Sequence, residues 1–170
     1  MKIGACAAET GALTQSVRDD IVDCARTVVG LEDVPDEVFA TRMLGPGLAV
    51  LPDAEGDLDA VAPVAGAVGS LHPHAAVVLV EGRRDRPVLV HLGLDTVELK
   101  GEGFTVHAEL GRQVLLGDLL VTWSPAHVAA GGRSPMCPVL ALGVAASEVR
   151  LVAEPGDRVT AGEPLFSWVD

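Results

Sequence analysis

From Leu48 to the end of the chain, short apolar runs alternate with glycine, proline and aspartate. Runs of about four to eight apolar residues bounded by turn formers are typical of strands, whereas a helix needs a longer run with a period near 3.6. The pattern therefore predicts an all-β protein, an antiparallel β-sandwich or flattened barrel built from repeated hairpins with few short helical turns. The runs are GLAVLP, APVAGAVGSL, AAVVLVEG, RPVLVHLGL, RQVLLGDLLVTW, CPVLALG, EVRLVAEPGDRV and PLFSW.

The segments between these runs predict two local connections. Arg83, Arg84 and Asp85 separate AAVVLVEG from PVLVHLG at the spacing of a β-hairpin. The segment from Ser124 to Arg133 contains enough helix-compatible residues for one helical turn. We therefore expect the strands before and after Arg83 to pair with each other in antiparallel fashion.

A weak internal repeat supports the hairpin architecture. Residues 111–120, GRQVLLGDLL, and residues 156–165, GDRVTAGEPL, share a glycine, a valine three positions later, a second glycine and a final leucine. Each copy is typical of a turn, a short strand, a glycine at which the chain bends, and a second strand. Two related hairpins are the simplest interpretation, although glycine-rich β chains also produce such matches by chance.

The first 30 residues follow a different pattern. Leu13, Val17, Ile21, Cys24 and Val28 recur at steps of three and four residues, which favours one face of a helix. The segment RTVVGL, which begins at Arg26, equally predicts a strand. We divide the chain into an N-terminal extension of uncertain order, residues 1–20, and one domain, residues 21–170.

Composition and charge narrow the function classes. Apolar residues make up 49% and charged residues 21% of the 170 residues, which predicts a folded globule with one core. The formal net charge is −12, so binding to a nucleic acid or to an anionic lipid surface is unfavourable. A basic protein is the more natural partner.

The chain has the features of a protein that stays in the cytoplasm. Charged residues interrupt every apolar run before it reaches the roughly 18 residues that a membrane-spanning helix needs, so we expect no direct membrane insertion. The first 20 residues do not resemble a secretory signal. Cys6, Cys24 and Cys137 are odd in number and lack CxxC spacing, which fits reduced thiols.

Two of the five histidines lie where strand periodicity makes them candidates for chemistry. His91 shares a strand face with Leu89 and lies near the end of its predicted strand, while His74 lies at the start of the partner strand. Antiparallel pairing of these strands would bring the two imidazoles together. On spacing alone, a buried structural histidine is the better interpretation of either residue.

The segment after His91, HLGLDTVELKGEGF at residues 91–104, resembles the active-site signature of the glucose-type IIA component (EIIA) of the phosphoenolpyruvate-dependent sugar phosphotransferase system. EDVPDEVFATRMLGPGLAVLP at residues 32–52 and APVAGAVGSL at residues 62–71 resemble two further conserved blocks of that family. The resemblance covers about residues 27–170. It implies an antiparallel β-sandwich, in agreement with the apolar pattern.

The resemblance implies a phosphotransferase component without a cofactor, in which His91 is phosphorylated and His74 is the supporting imidazole. The donor would be the small histidine-containing phosphocarrier HPr, and the acceptor a cysteine of the sugar permease component IIB or IIBC. A neutral imidazole is nucleophilic near pH 7, and its phosphoramidate is labile enough to transfer onward. A second imidazole can donate a hydrogen bond to the phosphoryl oxygens. A regulatory role of the unphosphorylated form would also follow from the resemblance.

The same resemblance implies a surface for docking partner proteins. Asp36 and Asp95 match family acids near the active histidine, where they would pair with a basic residue of HPr. Asp36 is equally interpretable as a turn residue after Pro35. The residues that match an apolar rim around them are Val38, Phe39, Met43, Leu44, Leu89 and Val97. An exposed apolar patch ringed by acids is what transient docking requires, although each of these residues could singly belong to the core.

A zinc-binding or zinc-hydrolase protein is the alternative from another class. His72, His74, His91 and Asp95 are residue types that suit zinc. Zinc endopeptidases with related folds place HxxxD before HxH, however, and this chain has the reverse order. No metal is required by the carrier hypothesis, although His74 and His91 could bind zinc adventitiously. His72 also stands where the family usually has a threonine, so the hydrogen bonding around His74 is expected to differ.

Overall fold

Strands account for most of the regular structure, as the apolar runs predict. The computed structural model describes residues 16–18, 26–53, 56–160 and 162–169. The strands are β1 (Ser16–Arg18), β2 (Arg26–Gly30), β3 (Gly47–Pro52), β4 (Leu58–Val61), β5 (Gly66–His72), β6 (Ala75–Val80), β7 (Pro87–His91), β8 (Phe104–Val106), β9 (Gln113–Val114), β10 (Leu119–Trp123), β11 (Cys137–Ala141), β12 (Val149–Leu151), β13 (Arg158–Val159) and β14 (Pro164–Trp168). The helices are α1 (Glu37–Ala40) and α2 (Pro125–Ala130), with short 3-10 turns at Leu31–Asp33, Thr96–Leu99 and Ala146–Glu148.

The strands form one large and two small antiparallel sheets. The large sheet has the order β13-β2-β3-β11-β7-β6-β5-β9, and the small sheets have the orders β1-β14-β12 and β4-β10-β8. Valines of the large sheet, such as Val78 and Val90, share one buried cluster with Trp123 and Phe166 of the small sheets. The small sheets therefore cover one face of the large sheet, which confirms the β-sandwich. The predicted hairpin at Arg83 joins β6 to β7.

A second, smaller cluster covers the opposite face of the large sheet. Leu31 and Phe39 from the segment between β2 and β3 pack there against strand residues that include Leu89 and Leu140. Asp36 begins α1, and its carboxylate accepts a hydrogen bond from the Val38 backbone N–H at 3.0 Å. The segment with α1 thus lies on the face of the large sheet that carries Leu89 of β7 and, because alternate residues share a face, also His91.

The two copies of the internal repeat have matching turn geometry. Gly111 and Gly156, 45 residues apart, begin the two copies with φ angles of 84° and 94°, a region that favours glycine. In each copy the next bend is closed by a carboxylate: Asp118 accepts from the Leu115 N–H at 2.8 Å, and Glu163 accepts from the Thr160 N–H at 3.3 Å. The related units are therefore β9–β10 and β13–β14. The two strands of each unit lie in different sheets and do not pair with each other, so each copy is a crossing from the large sheet to a small sheet rather than a hairpin.

The two copies lie at corresponding places on either side of the β7–β11 pair. β9 pairs with β5 at one edge of the large sheet, and β13 pairs with β2 at the other. At the centre, Ala75 pairs with His91 in one half, and Gly47 pairs with Leu140 in the other. Beyond each pair a backbone N–H donates across the sheet at 2.8 Å, from Leu92 to His74 and from Ala141 to Pro46. Leu140 thus occupies the place that corresponds to His91.

The N-terminal part contains strands where the structure describes it. Arg26–Gly30 forms β2, so the strand interpretation of RTVVGL is confirmed and a helix through Val28 is wrong. Leu13, Ile21 and Cys24, which completed the helical pattern, lie outside the described residues. Ser16–Arg18 pairs with β14, although it falls in the segment that we set apart as an extension. The division at residue 20 stays a prediction. The helical turn predicted after Ser124 is confirmed by α2.

Candidate functional site

Strand pairing brings His74 and His91 together, as the hairpin prediction requires. His91 is the last residue of β7 and pairs with Ala75 of β6. His74 lies immediately before Ala75, in the two-residue connection from β5 to β6. Their ring centroids are 5.3 Å apart, with an interplanar angle of 69°. Both rings are partly exposed. The two imidazoles therefore form one site at the end of the β6–β7 pair.

The tautomer of His91 follows from its hydrogen bond. Its Nδ1 lies 2.6 Å from the carbonyl oxygen of Gly93. A carbonyl oxygen can only accept, so the proton lies on Nδ1 and the lone pair of the neutral ring lies on Nε2. Gly93 adopts a φ of 78°, a conformation that bulkier residues rarely adopt. Backbone geometry after β7 thus leaves Nε2 as the ring nitrogen with an available lone pair.

Burial keeps both rings neutral. Desolvation lowers the pKa of His91 below its ordinary value, while the hydrogen bond to Gly93 and the nearby carboxylates of Asp36 and Asp95 oppose this effect. Desolvation also lowers the pKa of His74, with further contributions from the charges of His91 and His72. A neutral ring near pH 7 is the form that attacks phosphorus. The electrostatics of the site therefore favour the reactive form of His91.

The two predicted acids lie close enough to His91 to act on it electrostatically. Asp36 is partly buried and is the N-cap of α1, where its carboxylate accepts from the Val38 N–H, so it has at least a structural role. Asp95 is exposed and adopts a left-handed φ of 57° at the start of the 3-10 turn Thr96–Leu99. Both acids oppose the lowering of the His91 pKa. They place negative charge beside the imidazole while leaving it neutral.

The predicted apolar rim divides into exposed and buried residues. Val38, Met43 and Val97 are exposed to 43%, 76% and 60% respectively. Leu44 is partly buried.

The expectation that Phe39 and Leu89 are exposed is wrong, because they are only 6% and 9% exposed and belong to the smaller cluster. The Phe39 ring instead contacts His91 edge-on, with the centroids 5.3 Å apart. These two residues form the floor of the site.

His72 lies beside His74 rather than apart from the site. The two rings stack with centroids 5.7 Å apart and an interplanar angle of 28°. His72 pairs with Ala75 on β5 and β6, and Ala75 in turn pairs with His91, so these three residues form a row across adjacent strands. Residues paired directly across strands share a sheet face. The exposed His72 therefore lies on the same face as His91, and the three imidazoles of His72, His74 and His91 are neighbours in that order.

Sequence reasoning missed the groups that hold the segment after His91. Thr96 is fully buried and donates its hydroxyl to the Leu92 carbonyl at 2.8 Å. The Leu94 N–H donates to the Ser134 carbonyl at 2.9 Å. The first contact is local, whereas the second depends on a backbone group from a distant part of the chain. Only the glycine two residues after His91 signalled an unusual turn.

The zinc alternative finds no support in the geometry. Within the described residues there is no group of three or more His, Cys, Asp and Glu side chains placed to hold a metal ion. A zinc hydrolase using His72, His74, His91 and Asp95 is therefore not supported. Adventitious zinc at His74 and His91 stays a prediction. Among the described residues, no helix has the length and apolarity needed to cross a membrane.

Comparison with known proteins identifies a family. Residues 22–147 match the family model described as phosphoenolpyruvate-dependent sugar phosphotransferase system, EIIA 1. The glucose-specific EIIA component from Haemophilus influenzae is 35% identical over 138 residues, which span 81% of this chain and 80% of that protein. The glucose-specific EIIA component from Oceanobacillus iheyensis is 39% identical over 113 residues, which span 66% of this chain and 67% of that protein.

A fused relative and a solved structure extend the comparison. The glucose-specific EIICBA component from Streptococcus pneumoniae is 49% identical over 108 residues, which span 62% of this chain and 14% of that protein. The structure of glucose permease IIA from Mycoplasma capricolum matches with a TM-score of 0.76 and 30% identity, covering 93% of this chain and 97% of that chain. The chain belongs to the EIIA family of the phosphoenolpyruvate-dependent sugar phosphotransferase system, whose members carry phosphoryl groups between HPr and EIIB.

Proposed function

We propose that His91 is the residue that carries the phosphoryl group. The observation that carries this proposal is the hydrogen bond from Nδ1 to the Gly93 carbonyl, which leaves the lone pair on Nε2. The P–N bond of phosphorylated HPr breaks as a new P–N bond forms at His91 Nε2. The phosphoryl group then passes to a cysteine thiolate of EIIB, where a P–S bond forms as the bond to His91 breaks. The proton on Nδ1 stays in place through both steps.

His74 has the supporting role in this proposal. Its ring centroid lies 5.3 Å from that of His91, a distance at which it can reach oxygens of a phosphoryl group bound to Nε2. A hydrogen bond from His74 to such an oxygen offsets the negative charge brought into the site. His72, stacked on the far side of His74, limits the orientations available to that ring. His74 is thus a stabiliser of charge rather than a nucleophile.

The docking face for HPr and EIIB combines the exposed part of the predicted rim with the two acids. Val38, Met43 and Val97 supply exposed apolar surface, while Asp36 and Asp95 supply negative charge near His91. Apolar contact surrounded by complementary charge is a suitable basis for transient association. Because Phe39 and Leu89 are buried, they support this face from below and do not contact the partner.

The sugar and the cellular location belong to the same proposal. The relatives described above are named as glucose-specific components, so we infer that the phosphoryl group serves glucose uptake. We infer a cytoplasmic location, which is supported by the odd number of cysteines and their lack of CxxC spacing, since thiols stay reduced in that compartment. Growth on glucose as the sole carbon source, with and without the gene, tests the choice of sugar.

The carrier role is tested by incubating the chain with phosphoenolpyruvate, enzyme I and HPr. The wild type should gain the mass of one phosphoryl group, and His91→Gln should gain none, because the only phosphorus-bonding atom has been removed. His107→Gln is the matched control, since His107 is an exposed histidine bonded to Thr122 in a small sheet. Label that persists in His91→Gln, or that maps to His72 or His74, contradicts the proposal.

A further inference from the structure

The peptide group between Gly93 and Leu94 is held at both of its ends. Its carbonyl accepts the Nδ1 proton of His91 at 2.6 Å. Its N–H donates to the carbonyl of Ser134 at 2.9 Å. A continuous hydrogen-bond chain therefore runs from Ser134, in the connection between α2 and β11, to the imidazole. Donation by the N–H polarises the carbonyl of the same peptide group and makes it a stronger acceptor.

Thr96 fixes the turn that contains this peptide group. Its hydroxyl donates to the Leu92 carbonyl at 2.8 Å, and the side chain is fully buried. Its methyl group packs on Gly93, since a Cβ added to that glycine would lie only 2.7 Å from Thr96 Cγ2. Gly93 and Asp95 both adopt left-handed conformations, so the turn depends on tertiary contacts to stay in this one form. Thr96 bridges its two ends.

We propose that Thr96 is a positioning residue for phosphoryl transfer, because it holds the Gly93 carbonyl where it keeps the His91 proton on Nδ1. A neutral imidazole that places its proton on Nε2 cannot attack phosphorus from that atom. After phosphorylation of Nε2 the ring acquires imidazolium character, and the same carbonyl stabilises the positive charge through the Nδ1 proton. Thr96 touches neither the phosphoryl group nor the reacting nitrogen. It acts through the turn.

This inference rests on the proposed role of His91, and its test separates the two. Thr96→Val keeps the shape of the side chain but removes the hydroxyl, whereas Thr96→Ser keeps the hydroxyl. The measurements are the ¹⁵N shifts of His91, which report the tautomer, and the rate of labelling by phosphorylated HPr. Thr96→Val should give a mixture of tautomers and slow labelling by about 10-fold to 100-fold, the range found when a group that orients a metal-bound histidine is removed. Thr96→Ser should restore both properties towards the wild type.

Thr122→Val controls for the loss of a threonine hydrogen bond elsewhere. The Thr122 hydroxyl donates to Asp59 at 2.7 Å in a small sheet, away from His91. This variant should lose stability while its tautomer and labelling rate stay those of the wild type. A labelled wild type together with a Thr96→Val variant of unchanged ¹⁵N shifts and rate would overturn the role of Thr96 and leave that of His91 intact.

If Thr96→Val does not fold, two measurements on the wild type test the role of Thr96 and the role of His91. The ¹⁵N spectrum should show a protonated Nδ1 and an unprotonated Nε2 for His91 at neutral pH. The opposite tautomer overturns the positioning role. Absence of phosphoryl label on a wild type with the expected tautomer overturns the proposed role of His91 instead.

Discussion

Phe39 packs edge-on against His91, with the ring centroids 5.3 Å apart and the ring planes at 65°. The contact ties α1 to the end of β7 and covers one side of the imidazole with apolar surface. Burial of this kind disfavours the protonated ring, which agrees with the lowered pKa of His91. Phe39 therefore affects the reactivity of the site from within the structure, while its neighbour Val38 faces outward.

Charged substitutions at Phe39 and Val38 should affect different properties, stability at Phe39 and labelling by HPr at Val38. Phe39→Asp should lower the free energy of unfolding by about 3 kcal/mol or more, because it removes a buried ring and buries a carboxylate. Val38→Asp should leave the unfolding free energy within about 0.5 kcal/mol of the wild type and slow labelling by HPr. Chemical denaturation and a labelling assay check both. An intact Phe39→Asp fold would mean that Phe39 does not lie in the core.

The protein should lose stability at acidic pH because the folded state keeps His91 and His74 neutral. The pKa values of His91 and His74 are lowered in the folded state, while the unfolded chain keeps the ordinary value of about 6.5. As the pH falls below 6.5, protons bind first to the unfolded state, so stability should decrease until the folded-state pKa values are passed. Denaturation at several pH values should show this decrease and a smaller one in His91→Gln.

Substitution of Asp95 tests whether a nearby carboxylate raises the pKa of His91. Because its carboxylate raises the pKa of His91, Asp95→Asn should lower that pKa further. Asp85→Asn is a suitable control, since Asp85 pairs with Arg83 at the opposite end of the β6–β7 hairpin. A titration of His91 followed by NMR measures the effect. An upward shift in Asp95→Asn would contradict the assignment.

His74→Gln should separate the two transfer steps. The variant should still accept phosphate from HPr, because His91 keeps its nucleophilic nitrogen. Delivery to the EIIB cysteine should slow by ~10² to 10³, the usual effect of removing one stabiliser of developing charge. A two-stage assay with radiolabelled phosphoenolpyruvate and purified EIIB measures each step. Equal rates of delivery from the variant and the wild type would remove His74 from the mechanism.

The two copies of the repeat should respond alike to the same substitution. Gly111→Ala and Gly156→Ala each place a Cβ in open space at a φ of 84° or 94°. The expected cost is about 1 to 2 kcal/mol of unfolding free energy in each case, from backbone strain alone. Gly56→Ala is the control, because a Cβ at Gly56 also lies in open space while its φ is not left-handed. Costs that differ widely between the two glycines would show that the copies are not equivalent.

Much of the fold was readable from local chemistry. Glycine and proline punctuation marked the strands, because these residues end or bend a strand whatever its partners are. The proximity of His74 and His91 followed from hairpin pairing, which is also local in sequence. The burial of Phe39 was not readable, because α1 has only four residues and shows no apolar period. Its exposure is decided by packing on β7, about 50 residues away along the chain.

The hydrogen bonds that set the His91 tautomer were equally hidden. The acceptor for Nδ1 is a backbone carbonyl. Every residue has one, so the identity of the side chain does not predict this hydrogen bond. The partner of the next N–H, Ser134, reaches the turn only because β11 pairs with β7. No pattern in the sequence marks Thr96 as a residue that holds this turn. Such contacts become visible only when the strands have been assembled.

Leu140, which pairs with Gly47 as His91 pairs with Ala75, bears on the number of phosphoryl groups that one molecule can carry. The architecture is doubled, yet the place that matches His91 holds a buried aliphatic side chain with no atom able to bond phosphorus. Labelling should therefore saturate at a stoichiometry of one phosphoryl group per chain. Under the proposed role of His91, each molecule is discharged before it is charged again, so the flux of sugar should scale with the number of chains and their turnover rather than with multiple loading.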